Sequence, residues 1–338
     1  MRYGWMATGL LASALVMPAQ AQEPVSLRVA DVYPEGHYIA EALVKVFMAK
    51  VEEELGDRVA LEYFPASQLG KGPDMLTLTQ SGVVDIGIIV PPFLPDKLPL
   101  SAVAELPGSF TEACDGTAAF WALSREGVLK EAEYDPNGIH VLLATVLPPY
   151  QIFLRDEIAG VASFEGQKIY STGGAKDLTV RKLGGVPIRM ATQELYEALS
   201  RGTIDGGLMG YGTAIAYRTP GFVNYATRNE NFGSGVITYA ISNERWAELP
   251  EDVREALDRI GEEATMAACQ TISAGVEADI AALGEAGVTL VDLPEADRET
   301  VDAALASVAE EWAAELDGRG HKGSDTLSAF REALDRSN

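Results

Sequence analysis

Apolar and polar positions recur along the chain with two different periods, and each switch between them marks a boundary between a strand and a helix. SLRVADV (26–32) alternates like a half-buried strand, and HYIAEALVKVFMAKVEEELG (37–56) then carries apolar residues at helical spacing until Gly56 stops it. RVALEYF (58–64) predicts a second strand. GPDMLTLTQSG (72–82) predicts a short helix with Pro73 in its first turn and Gly82 as its stop. IGIIV (86–90) predicts a buried strand ended by Pro91 and Pro92. Strand, helix, strand, helix, strand is the order of a doubly wound α/β lobe.

The same order resumes in the middle of the chain. GQKIYST (166–172) predicts a strand, AKDLTVRKLG (175–184) a helix, VPIRM (186–190) a strand, and TQELYEALSRG (192–202) a helix with Thr192 as N-cap and Gly202 as stop. GGLMG (206–210) closes the set. At one point the repetition is literal: SGVVDIGIIV (81–90) and RGTIDGGLMG (201–210) share Gly-x-x-Asp-x-Gly, as Gly82, Asp85 and Gly87 and as Gly202, Asp205 and Gly207. Each copy falls at a helix-to-strand junction, where Gly accepts the left-handed turn and Asp can accept hydrogen bonds from amides of the turn. A junction used once per lobe requires no chemistry.

Farther on, ITYAISNERWAEL (237–249) reads as a strand running into a helix. Residues 250–287 read as one very long helix, or as two broken near 273–275. Unbroken, it would reach about 50 Å, enough to run past two lobes. VTLVDL (288–293) is a strand and the acidic tail from Pro294 is helical. The expected fold is therefore α/β, two doubly wound lobes joined by crossing strands and a long helix. Residues 22–145 with about 226–265 form lobe I, 146–225 with about 266–293 form lobe II, and 294–338 are C-terminal helices packing on the lobes.

Composition agrees with two cores, since 338 residues at 47% hydrophobic content exceed what one ordinary domain needs. Residues 1–21 stand apart: Arg2, the apolar run MATGLLASALVM (6–17) and the small-x-small triplet Ala19-Gln20-Ala21 read as a secretory signal peptide cleaved after Ala21. That run is too short to span a bilayer, and no later segment is long and apolar enough to do so. A net charge of −24, with no cluster of arginines, excludes nucleic acid and anionic lipid as partners. After export, Cys114 and Cys269 can pair or stay free and buried; their spacing does not decide. His37, His140 and His321 show no metal-ligand spacing, and no nucleophile elbow, Walker lysine motif or G-x-G-x-x-G is present. No catalytic residue, metal or cofactor is expected.

Two α/β lobes in an exported chain point to a hinged binding protein that closes on a small solute. The sequence also resembles the DctP-like family, the periplasmic solute-binding proteins of TRAP transporters. The resemblance runs from LRVADVYPEGHYIAEALVKVFMAKVEEELGDRVALEYFPASQLG, in which FPASQLG (64–70) is the most characteristic phrase, through LTQSGVVDIGII and FEGQKIY to LGGVPIRMATQELYEALSRGTIDG and ISNERWAELPEDVREAL. It implies a periplasmic-binding-protein type II-like fold. It also implies a receptor that captures a small organic solute in the periplasm and delivers it to a permease made of a small and a large integral-membrane subunit; the chain itself is expected to be a monomer. An exported enzyme or a ligand sensor on the same scaffold is the alternative.

The chain departs from that family at one telling position. Members usually carry an Arg, which pairs with a ligand carboxylate, where FEGQKIY has Tyr170. A phenol cannot neutralise a buried carboxylate. Either another base takes over, with Arg155 and Arg189 as candidates, or the solute is a neutral polar compound or an amine, facing tyrosines with Glu35 or Glu194 supplying charge. Ligands of open α/β sheets bind beyond the carboxyl ends of the strands. The expected lining is therefore Tyr33, Glu35, His37, Gln68, Val90, Pro91 and Phe93 from the first lobe, Tyr150, Tyr170, Ser171, Glu194, Met209 and Tyr211 from the second, and Phe232 from the later stretch.

Overall fold

The computed structural model describes residues 24–337, so the leader read at 1–21 lies outside the described residues. Eleven strands are described: β1 (Val25–Ala30), β2 (Val59–Phe64), β3 (Ile86–Ile89), β4 (Ile139–Val146), β5 (Gln151–Leu154), β6 (Lys168–Ser171), β7 (Val186–Arg189), β8 (Gly206–Met209), β9 (Tyr225–Arg228), β10 (Val236–Ser242) and β11 (Thr289–Asp292). They form two sheets, ordered β2-β1-β3-β10-β4 and β11-β9-β5-β8-β6-β7. Each sheet has the same kernel. In the first, β2, β1 and β3 run parallel and β10 joins β3 antiparallel; in the second, β7, β6 and β8 run parallel and β5 joins β8 antiparallel. The antiparallel member of the first kernel, β10, enters from beyond β9 of the second sheet, whereas β5 directly follows β4 of the first. The backbone crosses between sheets through two short segments, residues 147–150 after β4 and 229–235 before β10, and a third time through the helical stretch 243–288 between β10 and β11.

The repeated motif supplies the matching junctions. Gly82 (φ +71°) and Gly202 (φ +65°) take the left-handed turn that ends each preceding helix. The aspartates do more than the expected local turn bonding. Asp85 accepts a 2.8 Å hydrogen bond from the backbone N–H of Arg28 on β1, and Asp205 an identical 2.8 Å bond from Lys168 on β6. In return, the backbone N–H of each aspartate donates to the carbonyl of the same partner. The carboxylate thus ties the start of β3 to β1, and the start of β8 to that of β6, and fixes their register.

Helices pack on both faces of these sheets. Along β5, Phe153 enters one apolar cluster with Leu195, Leu199 and Leu283, while Ile152 and Leu154 enter another with Phe164, Ile169 and Val180. Burial on both faces explains why such strands read as continuous apolar runs. The larger core gathers Phe47, Ile86, Ile88, Phe120, Leu142 and Leu257 around the first sheet. The long helix is a single element, Glu251–Glu285, unbroken at 273–275, and it touches β4 and the helix Val44–Leu55 as well as β11 and the helix Tyr211–Ala216. It is a rod shared by both halves.

Local departures from the pattern have local causes. The segment read as one helix over 37–56 is two, Tyr38–Ala42 and Val44–Leu55, because Leu43 (φ −111°, ψ −78°) leaves helical geometry between them. Thr192 is not an N-cap: Glu194 accepts from the N–H of Ala191 at 3.1 Å, and the Thr192 hydroxyl is held by Tyr170. Cys114 and Cys269 form a disulfide, with Cα atoms 5.2 Å apart, joining the helix Ala113–Glu126 to the long helix.

Two outcomes follow. The bridge closes a loop with a sequence separation of 155, so the double variant Cys114→Ser, Cys269→Ser should lose about 2–5 kcal/mol in urea unfolding, against an unchanged midpoint if the bridge does not form. Gly82→Ala and Gly202→Ala should each cost about 1–2 kcal/mol, because the penalty is that of a left-handed backbone with no steric clash beyond it. Equal losses at the two sites would show that the junctions are equivalent.

Candidate ligand-binding site

The carboxyl ends of β1, β3, β6 and β8 face one another across the two crossings, and the enclosed space between them is lined by side chains of both halves. It is small, with about 40 Å³ open to the centre of a water molecule. Four polar atoms on its wall are buried without a hydrogen-bond partner: Nε2 of His37, Oε2 of Glu105, Oγ1 of Thr172 and the Tyr217 hydroxyl. Buried polar groups are overwhelmingly paired, so four orphans converging on one cavity mark a place built to be filled by a polar molecule.

Each wall is held from behind. Asp31, at the end of β1, accepts from the N–H of Tyr33 (2.8 Å) and from the hydroxyls of Tyr63 (2.9 Å) and Tyr239 (2.7 Å). Burial outweighs these bonds and raises the Asp31 carboxyl above its ordinary value. The FPASQLG phrase folds over this cluster: Ala66 (φ +53°) and Ser67 (φ +59°) are left-handed, and their N–H groups donate to the carbonyls of Tyr33 and Asp31. Tyr33 is thereby fixed as a platform, and its ring stacks on His37 at 4.0 Å between centroids. The Nδ1 of His37 accepts from the N–H of Ile39 at 3.3 Å, which leaves the ring proton on Nε2, aimed at the cavity. Burial lowers the His37 pKa to about 4, so the ring is a neutral donor at neutral pH.

Opposite stands the one ion pair among the described residues in which both side chains are almost fully enclosed. Nζ of Lys176 lies 2.5 Å from Oε1 of Glu105, each side chain being 1% exposed. Lys176 opens the helix Ala175–Lys182 of the second half, and Glu105 ends the 3₁₀ segment Leu100–Glu105 of the first, so the bond crosses the cleft. The second crossing segment clamps both: Lys176 donates to the Ser234 carbonyl at 3.2 Å, and the Glu105 carbonyl accepts from the Ser234 N–H at 3.3 Å. Gly233 (φ +113°) makes this possible, because any Cβ there would strike the Glu105 carbonyl. Burial pushes the Glu105 carboxyl up and the Lys176 ammonium down, while their mutual attraction opposes both shifts. Two further contacts bridge the halves: Tyr38 hydroxyl to Thr213 Oγ1 at 3.2 Å, and Arg189 Nη2 to the Pro92 carbonyl at 2.8 Å.

Of the residues expected from sequence, Tyr33, His37, Val90, Tyr150, Tyr170 and Met209 line this cavity. Tyr170, at the position where the resemblance implies an Arg, spends its hydroxyl on Thr192 at 2.7 Å. The structure does not bring the others to the cavity wall. Glu35 is exposed beside Lys45, and Gln68 is exposed on the FPASQLG turn. Pro91 faces a separate rim cavity and Phe93 covers Gly72. Arg155 donates to the carbonyls of Leu199 and Phe222 at the outer edge of the second sheet. Arg189 reaches Pro92 rather than the interior, and Glu194 caps its own helix. Ser171 bonds Asp177, Tyr211 donates to the Thr227 carbonyl beside a larger cavity at the crossings, and Phe232 packs edge-on against Phe164. The cationic side chain on this wall is Lys176, which the sequence reading did not name, nor did it name Glu105, Thr172 or Tyr217. The available signal was the Gly173-Gly174 pair just before Lys176, both with positive φ, which swings the helix start toward the cleft.

Removing one member of the Lys176–Glu105 pair leaves a buried charge, whereas removing both does not. Lys176→Met and Glu105→Leu should each cost about 3–5 kcal/mol in urea unfolding, and the double variant markedly less than their sum. Additive losses would mean that the pair is not coupled.

With this geometry in view, comparison with known proteins is informative. Residues 29–316 match the family model DctP, bacterial extracellular solute-binding protein, family 7. The outer membrane transporter protein TsaT of Comamonas testosteroni is 24% identical over 96% of both chains. The C4-dicarboxylate-binding periplasmic protein DctP of Rhodobacter capsulatus is 26% identical over 96% of this chain and 95% of its own. A TRAP solute-binding protein of Rhodoferax ferrireducens, solved in complex with copurified benzoate, superposes with a TM-score of 0.84 at 24% identity, covering 92% of this chain and 98% of that one. The match to the family model spans both sheets and both crossings, and the chain belongs to the DctP family of bacterial extracellular solute-binding proteins.

Proposed function

We propose that this protein is the solute-capturing subunit of a TRAP-type transporter, binding a small organic acid between its halves in the periplasm and handing it to a membrane permease. The observation that carries the reading is the convergence of four unpartnered polar atoms and one buried ammonium on a cavity walled by Tyr33, Tyr150, Tyr170 and Tyr217. An ammonium and the neutral His37 donor suit a carboxylate, and flat phenol walls suit an aromatic or other compact apolar body. The benzoate held by the Rhodoferax relative is a solute of that class.

The mechanism is closure. A solute that touches Lys176 on one side and His37 on the other has contacts with both halves only when they are together, so it shifts the equilibrium toward the closed form. The crossings at 147–150 and 229–235 carry the bend, and the long helix runs alongside them. A cavity of about 40 Å³ holds little more than a few waters, so the solute-bound closed form is slightly wider than the closed arrangement described above, and more compact than an open one. The closed surface is what a permease with a small and a large subunit would read. Binding alone accomplishes this, without turnover of the solute. The leader at 1–21 would place the mature chain in the periplasm, where Cys114 and Cys269 can oxidise.

Benzoate at a hundred times its dissociation constant should add about 2.7 kcal/mol to stability in a thermal-shift assay, with the radius of gyration falling in solution scattering. Lys176→Met should abolish the shift. A screen of aromatic, hydroxy- and keto-acids that left the melting temperature and the scattering unchanged would reject the reading.

A further inference from the structure

The cavity is electrically balanced before any solute enters. Lys176 is positive, Glu105 negative, and His37 neutral by its bond to Ile39. The ammonium is therefore already neutralised, unlike an Arg kept free for a ligand. A carboxylate arriving at Lys176 brings an unbalanced negative charge into an enclosed space, next to Oε2 of Glu105, which no protein group satisfies. Two carboxylates sharing one enclosed cation repel, and the relief open to such a pair is a shared proton.

Resting on the receptor reading above, we propose that this protein binds its acid together with one proton, taken up from solvent by Glu105. The solute anion accepts a hydrogen bond from Nζ of Lys176. Glu105 gains a proton on Oε2 and donates that O–H to the solute carboxylate. One anion and one proton enter, no bond other than the new O–H is made, and the cavity stays neutral. The orphaned Oε2 thereby becomes a donor aimed at the ligand, which accounts for its lack of a partner in the protein itself.

The surroundings favour this atom over others. The titratable groups lining the same cavity are Lys176, His37 and the phenols of Tyr33, Tyr150, Tyr170 and Tyr217. All four phenols are held well above their ordinary range by burial and stay protonated. Asp177, next to Lys176, is engaged by the Ser171 hydroxyl. The 3₁₀ turn Pro91–Phe93, which packs on the Glu105 segment, contributes no titratable group, and the helix Gly323–Ser337 presents buried Thr326, Leu327 and Phe330 to it while its charged side chains are exposed. At the far end of the Leu100–Glu105 segment, Glu133 accepts from the N–H groups of Leu100 and Ser101 and from the Ser101 hydroxyl, and it is sealed from the cavity. On β10, the Val236 N–H reaches Oε1 of Glu105 at 3.4 Å, leaving Oε2 as the open lone pair. Burial already biases the Glu105 carboxyl upward, in the direction that proton uptake needs.

The sign of the pH effect is fixed. On this proposal Glu105 is ionised against Lys176 in the free protein and protonated in the complex, so its pKa is higher with solute bound. Affinity rises as pH falls through the window between the two values, at up to tenfold per unit. Titration calorimetry of the full mature chain with benzoate, in buffers of different ionisation enthalpy at about pH 7–8, should return close to one proton taken up per benzoate. Glu105→Gln, which keeps an acceptor for Lys176 and a donor for the solute, should bind benzoate with no proton uptake and an affinity flat in pH. Benzoate binding to the unsubstituted protein without proton uptake overturns the proposal and leaves the receptor reading standing. If neither benzoate nor any other small acid binds from about pH 5 to 8, both fall together. The measurement on the unsubstituted chain decides the matter even if Glu105→Gln does not fold.

Discussion

An enclosed ammonium must be paired, and in this protein its partner lies on the other side of the cleft. The Lys176–Glu105 bond is therefore a constraint on how the two halves meet as well as an electrostatic feature of the site. It is positioned by the crossing segment 229–235, where Ser234 bonds the backbone of one partner and the side chain of the other, and where only glycine fits at 233. Hinge, lobe contact and binding chemistry thus converge on a few atoms. A change in the hinge is felt at once by the charge that a solute would meet.

The remaining architecture serves to hold those atoms still. Two kernels of the same strand order are each locked, at the end away from the cleft, by an aspartate that bonds the neighbouring strand and so fixes the register in which the strands reach the cleft. The Asp31–Tyr63–Tyr239 cluster fixes the Tyr33 platform, and that platform fixes His37 through ring stacking. The disulfide to the long helix clips the outer helix layer to the rod that both halves share. Small-molecule sites are commonly apolar with a few convergent polar groups, and here rigidity behind each such group keeps its hydrogen bond aimed.

Tyr170, which stands in the sequence where the resemblance implies an Arg, gains its meaning from this arrangement. The phenol turns to Thr192 and becomes wall, while positive charge is supplied one helical start later by Lys176. An ammonium is a compact point charge that a neighbouring carboxylate can neutralise, whereas a guanidinium presents a planar fork suited to a carboxylate ligand.

The hydrophobic period and the Gly-x-x-Asp-x-Gly repeat alone determined the two α/β lobes, the helix-to-strand junctions and most strand positions, because side-chain periodicity and left-handed turns are local properties of the chain. Strand-end logic also found Tyr33, His37, Tyr150, Tyr170 and Met209, which sit where parallel sheets present ligands. The sequence could not place Arg155, Arg189 or Phe232, since a residue near a strand end in the chain can still face outward, bridge a rim or enter a core. Nor could it pair Cys114 with Cys269 or Lys176 with Glu105. Those contacts join segments far apart in the chain, and only the folding of two sheets around two crossings brings them together. Whether a charged residue is a solvated surface group or half of a buried pair depends on what the rest of the chain packs against it, and that is decided by tertiary structure alone.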